Sequence, residues 1–319
     1  MRHFFYFFLL SMFLISCKKE IKNNIDVSHI SADFKTKRFE IDFYQSNLED
    51  LEKLKKEYPV LFPEGIEDSV WISKINSKEE QDLFRETQKV YKDFSKTENE
   101  LLRLFKRIKY YDKSFESPDV ITILSNIDYE YRTIYSDSLL LISLDVYLGK
   151  NHPFYNDYPG YIKENNKQDN IVVDVANQII KNQIIPSNNR SFLGKMIDAG
   201  KKLYLLDLYT PTKPDNVKIG YSENKLLWAK ENEEQVWRYF IEENLLYSTD
   251  TKLNKRFLDE APFSKFYLAE DSRSPGRIGQ WIGWEIVRSF MQKNDVSLQA
   301  LLTMKEEDIF KNSNYKPRK

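Results

Sequence analysis

An α+β fold, with a small sheet embedded in a predominantly helical domain, is what the sequence predicts, and three observations carry it. Three β-rich runs, Val120–Leu124, Tyr131–Tyr135 and Leu139–Leu144, follow one another with turn residues Asn126, Asp128, Ser136 and Asp137 between them. On either side of these runs the apolar residues recur mostly at helical spacing. No internal repeat is apparent, and 319 residues are enough to bury roughly three quarters of the unfolded chain's surface in one large domain or two intimate ones.

The elements are expected in this order. RFEIDFY, from Arg38 to Tyr44, alternates and predicts a strand; SNLEDLEKLKKEY then predicts a serine-capped helix that runs to Pro59. From Ser77 to Tyr110 the period is helical, with Leu83, Phe84, Val90, Tyr91, Phe94, Leu101, Leu104, Phe105 and Ile108 facing inward and a break near Thr97. The last two of the three strands should form a hairpin. Helices are expected again over Asn170–Gln183, Ser191–Leu208, Asn224–Leu246 with a break near Asn232, and Ser274–Lys293.

The N-terminus carries different information. In MRHFFYFFLLSMFLISCKKE, Arg2 supplies a positive n-region, Phe4 to Ile15 an apolar h-region and Ser16 a small residue before the cut, which together read as a signal peptide over residues 1–16. Crossing a bilayer takes about 20 apolar residues, more than this stretch offers. Cys17 is the single cysteine, and Leu14-Ile15-Ser16-Cys17 resembles the lipobox of bacterial lipoproteins. A diacylglyceryl thioether with a palmitate-type N-acyl chain would anchor the chain to a lipid bilayer, since two acyl chains already suffice. Residues 17–33 then read as a lipidated tether and 34–319 as a single globular domain. With Cys17 consumed, no internal disulfide can form, and stability must come from the core.

Composition fits a folded globule, 41% hydrophobic and 14% aromatic. Lys and Arg number 48 against 49 Asp and Glu, so there is no global electrostatic footprint for nucleic acid. The 20 Tyr and 21 Phe raise the possibility of sugar or peptide binding, although a coding bias toward Lys, Asn, Ile, Tyr and Phe accounts for them equally well.

Candidate chemistry is sparse. Of three histidines, His3 leaves with the signal, His29 lies in the tether and His152 in a loop, so a conventional zinc site is not expected, and no G-x-S-x-G occurs. Asp174, Asp198, Asp207, Glu223 and Glu285 lie in or beside apolar helical segments, but spacing singles out no acid-base pair. SPGRIGQWIGWEIVRSF, residues 274–290, holds three of nine glycines. With Ser274 as cap and Pro275 in the first turn, Gly276, Gly279 and Gly283 fall on one stripe of a helix, with Trp281 projecting away from it and Trp284 beside it. The spacing G-x-x-G-x-x-x-G matches no phosphate-binding loop, so the stripe predicts close approach of another backbone.

DVYLGKNHPFYNDYPGYI (145–162), FLGKMIDAGKKLYLLDLYTP (192–211), IGYSENKLLWAKENEEQVWRYFIEENLLYS (219–248), APFSKF (261–266) and SPGRIGQWIGWEIVRSFM (274–291) resemble the gliding-motility lipoprotein GldB family, in order and from about Phe34 to Pro317. The resemblance implies a role in the surface gliding of Bacteroidetes, other gliding or secretion proteins of the envelope as partners, and, with Lys18 rather than aspartate after the cysteine, an outer-membrane location. The family is also distantly similar to predicted zinc peptidases with an H-E-x-x-H helix, which implies a zincin-like scaffold. Overlaid on VVDVANQII, that motif puts Asp174 and Gln178 where the histidines would stand and Val175 at the glutamate; in MIDAGKK, Ala199 takes the acidic position before Gly200. Ligands and base are missing, so the resemblance implies a pseudoenzyme or adaptor with no catalytic residue, metal or cofactor. An envelope hydrolase with a carboxylate site of another kind is the alternative, and a module binding peptides or glycans a third.

Overall fold

The computed structural model describes residues 25–319 apart from Pro186. The expected signal peptide, Cys17 and the first part of the expected tether lie outside the described residues. From Ile25 onward the chain already rests on the fold: Ile30 and Ala32 are buried, and Arg107 donates to the Ile25 carbonyl.

The first strand, β1 (Thr36–Arg38), stops where the sequence reading has it begin, and Phe39–Tyr44 is a helix, α1. The local pattern fits both periods. Tertiary contacts decide for the helix, because it is Glu40, Phe43 and Tyr44 that are buried, not the period-two set. Glu40 meets Arg38 and Thr122, and the Phe39 and Phe43 rings stack one turn apart at 5.1 Å. Helix α2 (Leu51–Glu57) follows a 3₁₀ turn capped by Asn47 rather than Ser46, whose hydroxyl donates to Phe43. Then come α3 (Asp68–Asn76), α4 (Lys78–Tyr91), capped by Ser77, and α5 (Ser95–Tyr111). The break between α4 and α5 thus lies at 92–94, where the Asp93 carboxylate accepts from Ser95 N–H; Thr97 is inside α5, and Val90 is exposed.

Strands β2 (Asp119–Ile123), β3 (Thr133–Ser136) and β4 (Leu139–Ser143) fall where expected, and β3–β4 is a hairpin. The sheet order is β1-β2-β4-β3, with β1 and β4 both parallel to β2. Alternation along the strands serves two cores. Val120, Leu140 and Ile142 join the main core, whereas Ile121, Leu139 and Leu141 pack with Phe43, Phe62 and Trp71 of the N-terminal segment.

The remainder is helical: α6 (Gly160–Lys163), α7 (Gln168–Gln183), α8 (Phe192–Tyr209), α9 (Asp215–Ile219), α10 (Glu223–Glu231), α11 (Glu233–Glu242), α12 (Lys252–Phe257), α13 (Ile278–Lys293), α14 (Leu298–Thr303) and α15 (Glu306–Ser313). The break at Asn232 is present between α10 and α11. The result is a mainly helical α+β fold, as the sequence predicts. Among the described residues no helix is long and apolar enough to cross a membrane.

Helix α13 starts later than its sequence implies. Ser274 is fully buried and ties down the 264 segment by bonding Ser264 N–H and carbonyl, so it caps no helix. Gly276 sits against the Ala261 carbonyl, and Arg277 turns left-handed, φ 58°, before the helix begins at Ile278. Gly276 is therefore outside the helical stripe. Gly279 and Gly283 are in it: a Cβ on Gly283 would strike the Met196 carbonyl of α8, and one on Gly200 of α8 the Gly283 carbonyl. Trp281 and Trp284 are both fully buried, edge to face at 5.8 Å.

Candidate functional site: a two-lobed cleft around Gly220

Most of the predicted carboxylates are absorbed by structure. Asp207, buried on α8, accepts from Lys218 at 2.8 Å, from Arg288 at 2.7 Å and from the Trp284 indole at 2.9 Å. Glu285 pairs with Arg288 and Arg318. Asp198 stands beside Glu306 and Lys201; burial, then the Glu306 charge, pushes its carboxyl up to about 6. Glu223 is exposed in the first turn of α10, where a negative charge suits the helix dipole. His29 is exposed, and His152 accepts from the Phe154 N–H in a loop.

Asp174 is the exception. It lies on the face of α7 that looks into a cavity of about 460 Å³, together with Asn170 and Asn177. These positions share a face because they are spaced by four and three residues. Opposite stand Arg132, just before β3, and Arg277 and Glu260. One Asp174 oxygen accepts from the Tyr147 hydroxyl at 2.8 Å. Burial holds the Asp174 carboxyl above its ordinary range against the opposing pull of Arg132, and burial likewise raises the Tyr147 phenol.

The residues around the cavity are braced by one another. Arg132 donates to the carbonyls of Ile162 and Asn165 and to the Asn166 side chain, fixing the turn between α6 and α7. Gly220, left-handed at the end of α9 with φ 70°, offers its carbonyl to both Asn165 Nδ2 (3.4 Å) and Arg277 Nη2 (3.3 Å). A Cβ there would come within 2.9 Å of Arg277 Nη2 and 3.0 Å of Asn165 Nδ2, so glycine is needed for space as well as for φ. A second lobe of about 390 Å³ shares Gly220 and Arg277 and is walled by Tyr161, Tyr221, Pro262 and Pro275.

The positions overlaid on the zinc motif do not come together. Asp174 faces the cavity, but Val175 is in the core and Gln178 points elsewhere, accepting from Lys181. The i, i+4 pair that does face the cavity is Asn170 and Asp174, one turn earlier. On this face of α7, two amides and one carboxylate already bonded to a tyrosine do not make a zinc site, which takes imidazole, thiolate and carboxylate donors. Among the described residues no group of three or more His, Cys, Asp or Glu is placed to hold a metal. Ala199 is half-buried next to Gly200, whose place is set by the contact with α13.

Sequence reasoning named Asp174 as one of several carboxylates and as a place where a zinc ligand is missing, and did not single out Arg132, Asn170, Glu260 or Arg277. Arg132 was hidden in a run read as strand, and Arg277 in one read as helix. The signal available was the arginine itself, since a helix opening SPGR has no structural need for a cation in its first turn.

No curated protein and no solved structure matches the chain, so neither comparison shows a likeness to zinc peptidases. The model of one protein family, described as gliding motility protein GldB, matches residues 20–317. That span takes in the whole sheet, both lobes of the cleft and the α8–α13 pair, and the chain belongs to the gliding motility protein GldB family.

Proposed function

We propose that the protein is a non-catalytic component or adaptor of the gliding machinery, held at the outer membrane by acyl chains on Cys17 and working through contacts with other envelope proteins. The non-catalytic reading rests on the wall of the cleft. Asp174, the most deeply set of its three carboxylates, is bonded to a tyrosine and flanked by amides, and among the described residues no set of metal donors stands beside it. The anchor rests on the sequence Leu14-Ile15-Ser16-Cys17. Family membership supports the motility role.

Labelled palmitate and membrane fractionation test the anchor. Cys17→Ala is expected to lose the label and stable membrane retention; a variant that keeps both contradicts it. Protease accessibility on intact cells then distinguishes a periplasmic from a surface-exposed domain.

One observation favours a second reading, an envelope hydrolase. Burial raises the Asp174 carboxyl beside Arg132 in a cavity, a setting in which carboxylates act as general bases. Peptide cleavage by the purified protein, abolished in Asp174→Asn, would establish it.

A further inference from the structure

Helix α5 carries a row of cations at the place where the tether arrives. Its outward positions Lys96, Asn99, Arg103, Lys106 and Tyr110 are spaced by three and four residues and so share one stripe, and Lys113 follows just past the helix end. None of these positions is acidic. Of the carboxylates beside the stripe, Glu100 and Asp169 pair with Lys213 at 3.0 and 3.2 Å, and Lys96 reaches Asp169 at 3.7 Å. Asp26 accepts from Ser28 N–H, and Asp112 from Ser114 and Gln183. Arg103, Lys106 and Lys113 are left with no carboxylate partner among the described residues; Lys106 meets the Ser28 carbonyl, and Lys113 lies over the Tyr110 ring at 5.4 Å.

The chain meets the domain on this same helix. Arg107, buried on α5, donates to the Ile25 carbonyl, and Lys106 donates to that of Ser28, so residues 25–28 lie across α5. Between Cys17 and Ile25 there are eight residue steps, 25 minus 17, a reach of at most about 28 Å. A domain of this length measures about 50 Å across. Acyl chains on Cys17 therefore hold the α5 side near the bilayer and leave the far side of the domain out of contact with it.

We propose that the α5 stripe lies on the bilayer surface, with Arg103, Lys106 and Lys113 against the phosphates of anionic phospholipid headgroups and Tyr110 at the water–lipid boundary. The inference rests on the reading that Cys17 carries the anchor. Basic groups within a Debye length of an anionic leaflet are drawn to it. Tyrosine suits the boundary because its ring is apolar and its tip polar, and Tyr110 is 36% exposed. Lys18, Lys19 and Lys22 of the tether add cations on the same side, against Glu20 alone. Acyl chains and stripe together would fix which face of the domain is turned to the membrane and which is open to partners.

Lysine footprinting on the acylated mature protein tests it. The protein is inserted into preformed vesicles, either phosphatidylethanolamine with phosphatidylglycerol or phosphatidylcholine alone, and amine labelling is read at each lysine by mass spectrometry. Lys106 and Lys113 are expected to label about threefold or more slowly in the anionic vesicles than in phosphatidylcholine. Exposed Lys252 and Lys255 of α12 should label equally in both, because α12 packs at the other end of α8 from α5: Phe257 meets Phe192 there, whereas Arg107 bonds Leu208. The slowing at Lys106 should vanish in Arg103→Glu/Lys113→Glu, two exposed positions. Should that variant fold poorly, about 0.5 M salt on the natural protein removes the same attraction. Protein that fails to float with either vesicle refutes the acyl anchor, and this inference with it. Protein that floats while Lys106 and Lys113 label alike in both vesicles leaves the anchor standing and overturns the stripe, as does slowing that survives both charge reversal and salt.

Discussion

Gly283 of α13 lies directly against the Met196 carbonyl of α8, so closely that no Cβ fits between them. Gly200 of α8 returns the contact, against the Gly283 carbonyl. Two helix backbones touch where glycine from each side removes the side chain, and the reward is the continuous packing of the Trp281 and Trp284 region.

Gly283→Ala should therefore lower stability. Overpacking costs about 1–3 kcal/mol, which outweighs the gain of up to about 1 kcal/mol in helix propensity. Gly279→Leu should also destabilise, since its Cβ alone would stand 3.0 Å from Leu258 Cδ2 and from the Phe257 carbonyl. Urea denaturation midpoints check both. A raised midpoint for Gly283→Ala contradicts the contact, and loss of gliding with an unchanged midpoint in Gly279→Leu points to a partner surface instead.

Asp145, in the 3₁₀ turn Leu144–Val146 that follows β4, makes stability depend on pH. It is buried, and burial pushes its carboxyl up to about 6 despite the N–H groups of Ser125 and Ile127 that hydrogen-bond to it. A raised folded value contributes stability that is complete below the unfolded value of about 3.9 and is lost as pH climbs through 6. The stability difference between the natural protein and Asp145→Asn should thus fall by about 3 kcal/mol between roughly pH 4 and pH 6 and be flat above. A difference constant across that window refutes the assignment.

Asp207 holds Lys218, Arg288 and the Trp284 indole at one buried point. Removing it in Asp207→Ala leaves Lys218, 6% exposed, without its counter-charge, while Arg288 keeps Asp215 and Glu285; the cost is about 3–5 kcal/mol. The exposed pair Arg238–Glu234 on α11 is the control: Glu234→Ala should change stability by less than about 1 kcal/mol. Equal effects from the two substitutions contradict the role given to burial.

Periodicity, caps and turn residues made α7, α8, α10, α11 and the β3–β4 hairpin legible, whereas α9, five residues long, is too short to show a helical period. RFEIDFY was not legible. Its helix is stabilised by Glu40 reaching Thr122, more than eighty residues away, and no local pattern contains that contact. The start of α13 was misplaced for a similar reason: Ser274 reads as a cap, and only the folded chain brings Ser264 to it. At the cleft, Asp174 could be found by overlay on a motif. Asn170, Arg132 and Arg277 come from separate elements that meet at the Gly220 carbonyl or the turn beside it, and sequence spacing carries no trace of that meeting.

Whether the protein acts without catalysis is decided by metal analysis and peptide hydrolysis on the same purified preparation of mature protein. Neither stoichiometric zinc nor cleavage above background is expected, in the natural protein and in Asp174→Asn alike. One zinc per chain, with cleavage that disappears together with the metal in Asp174→Asn, would contradict it.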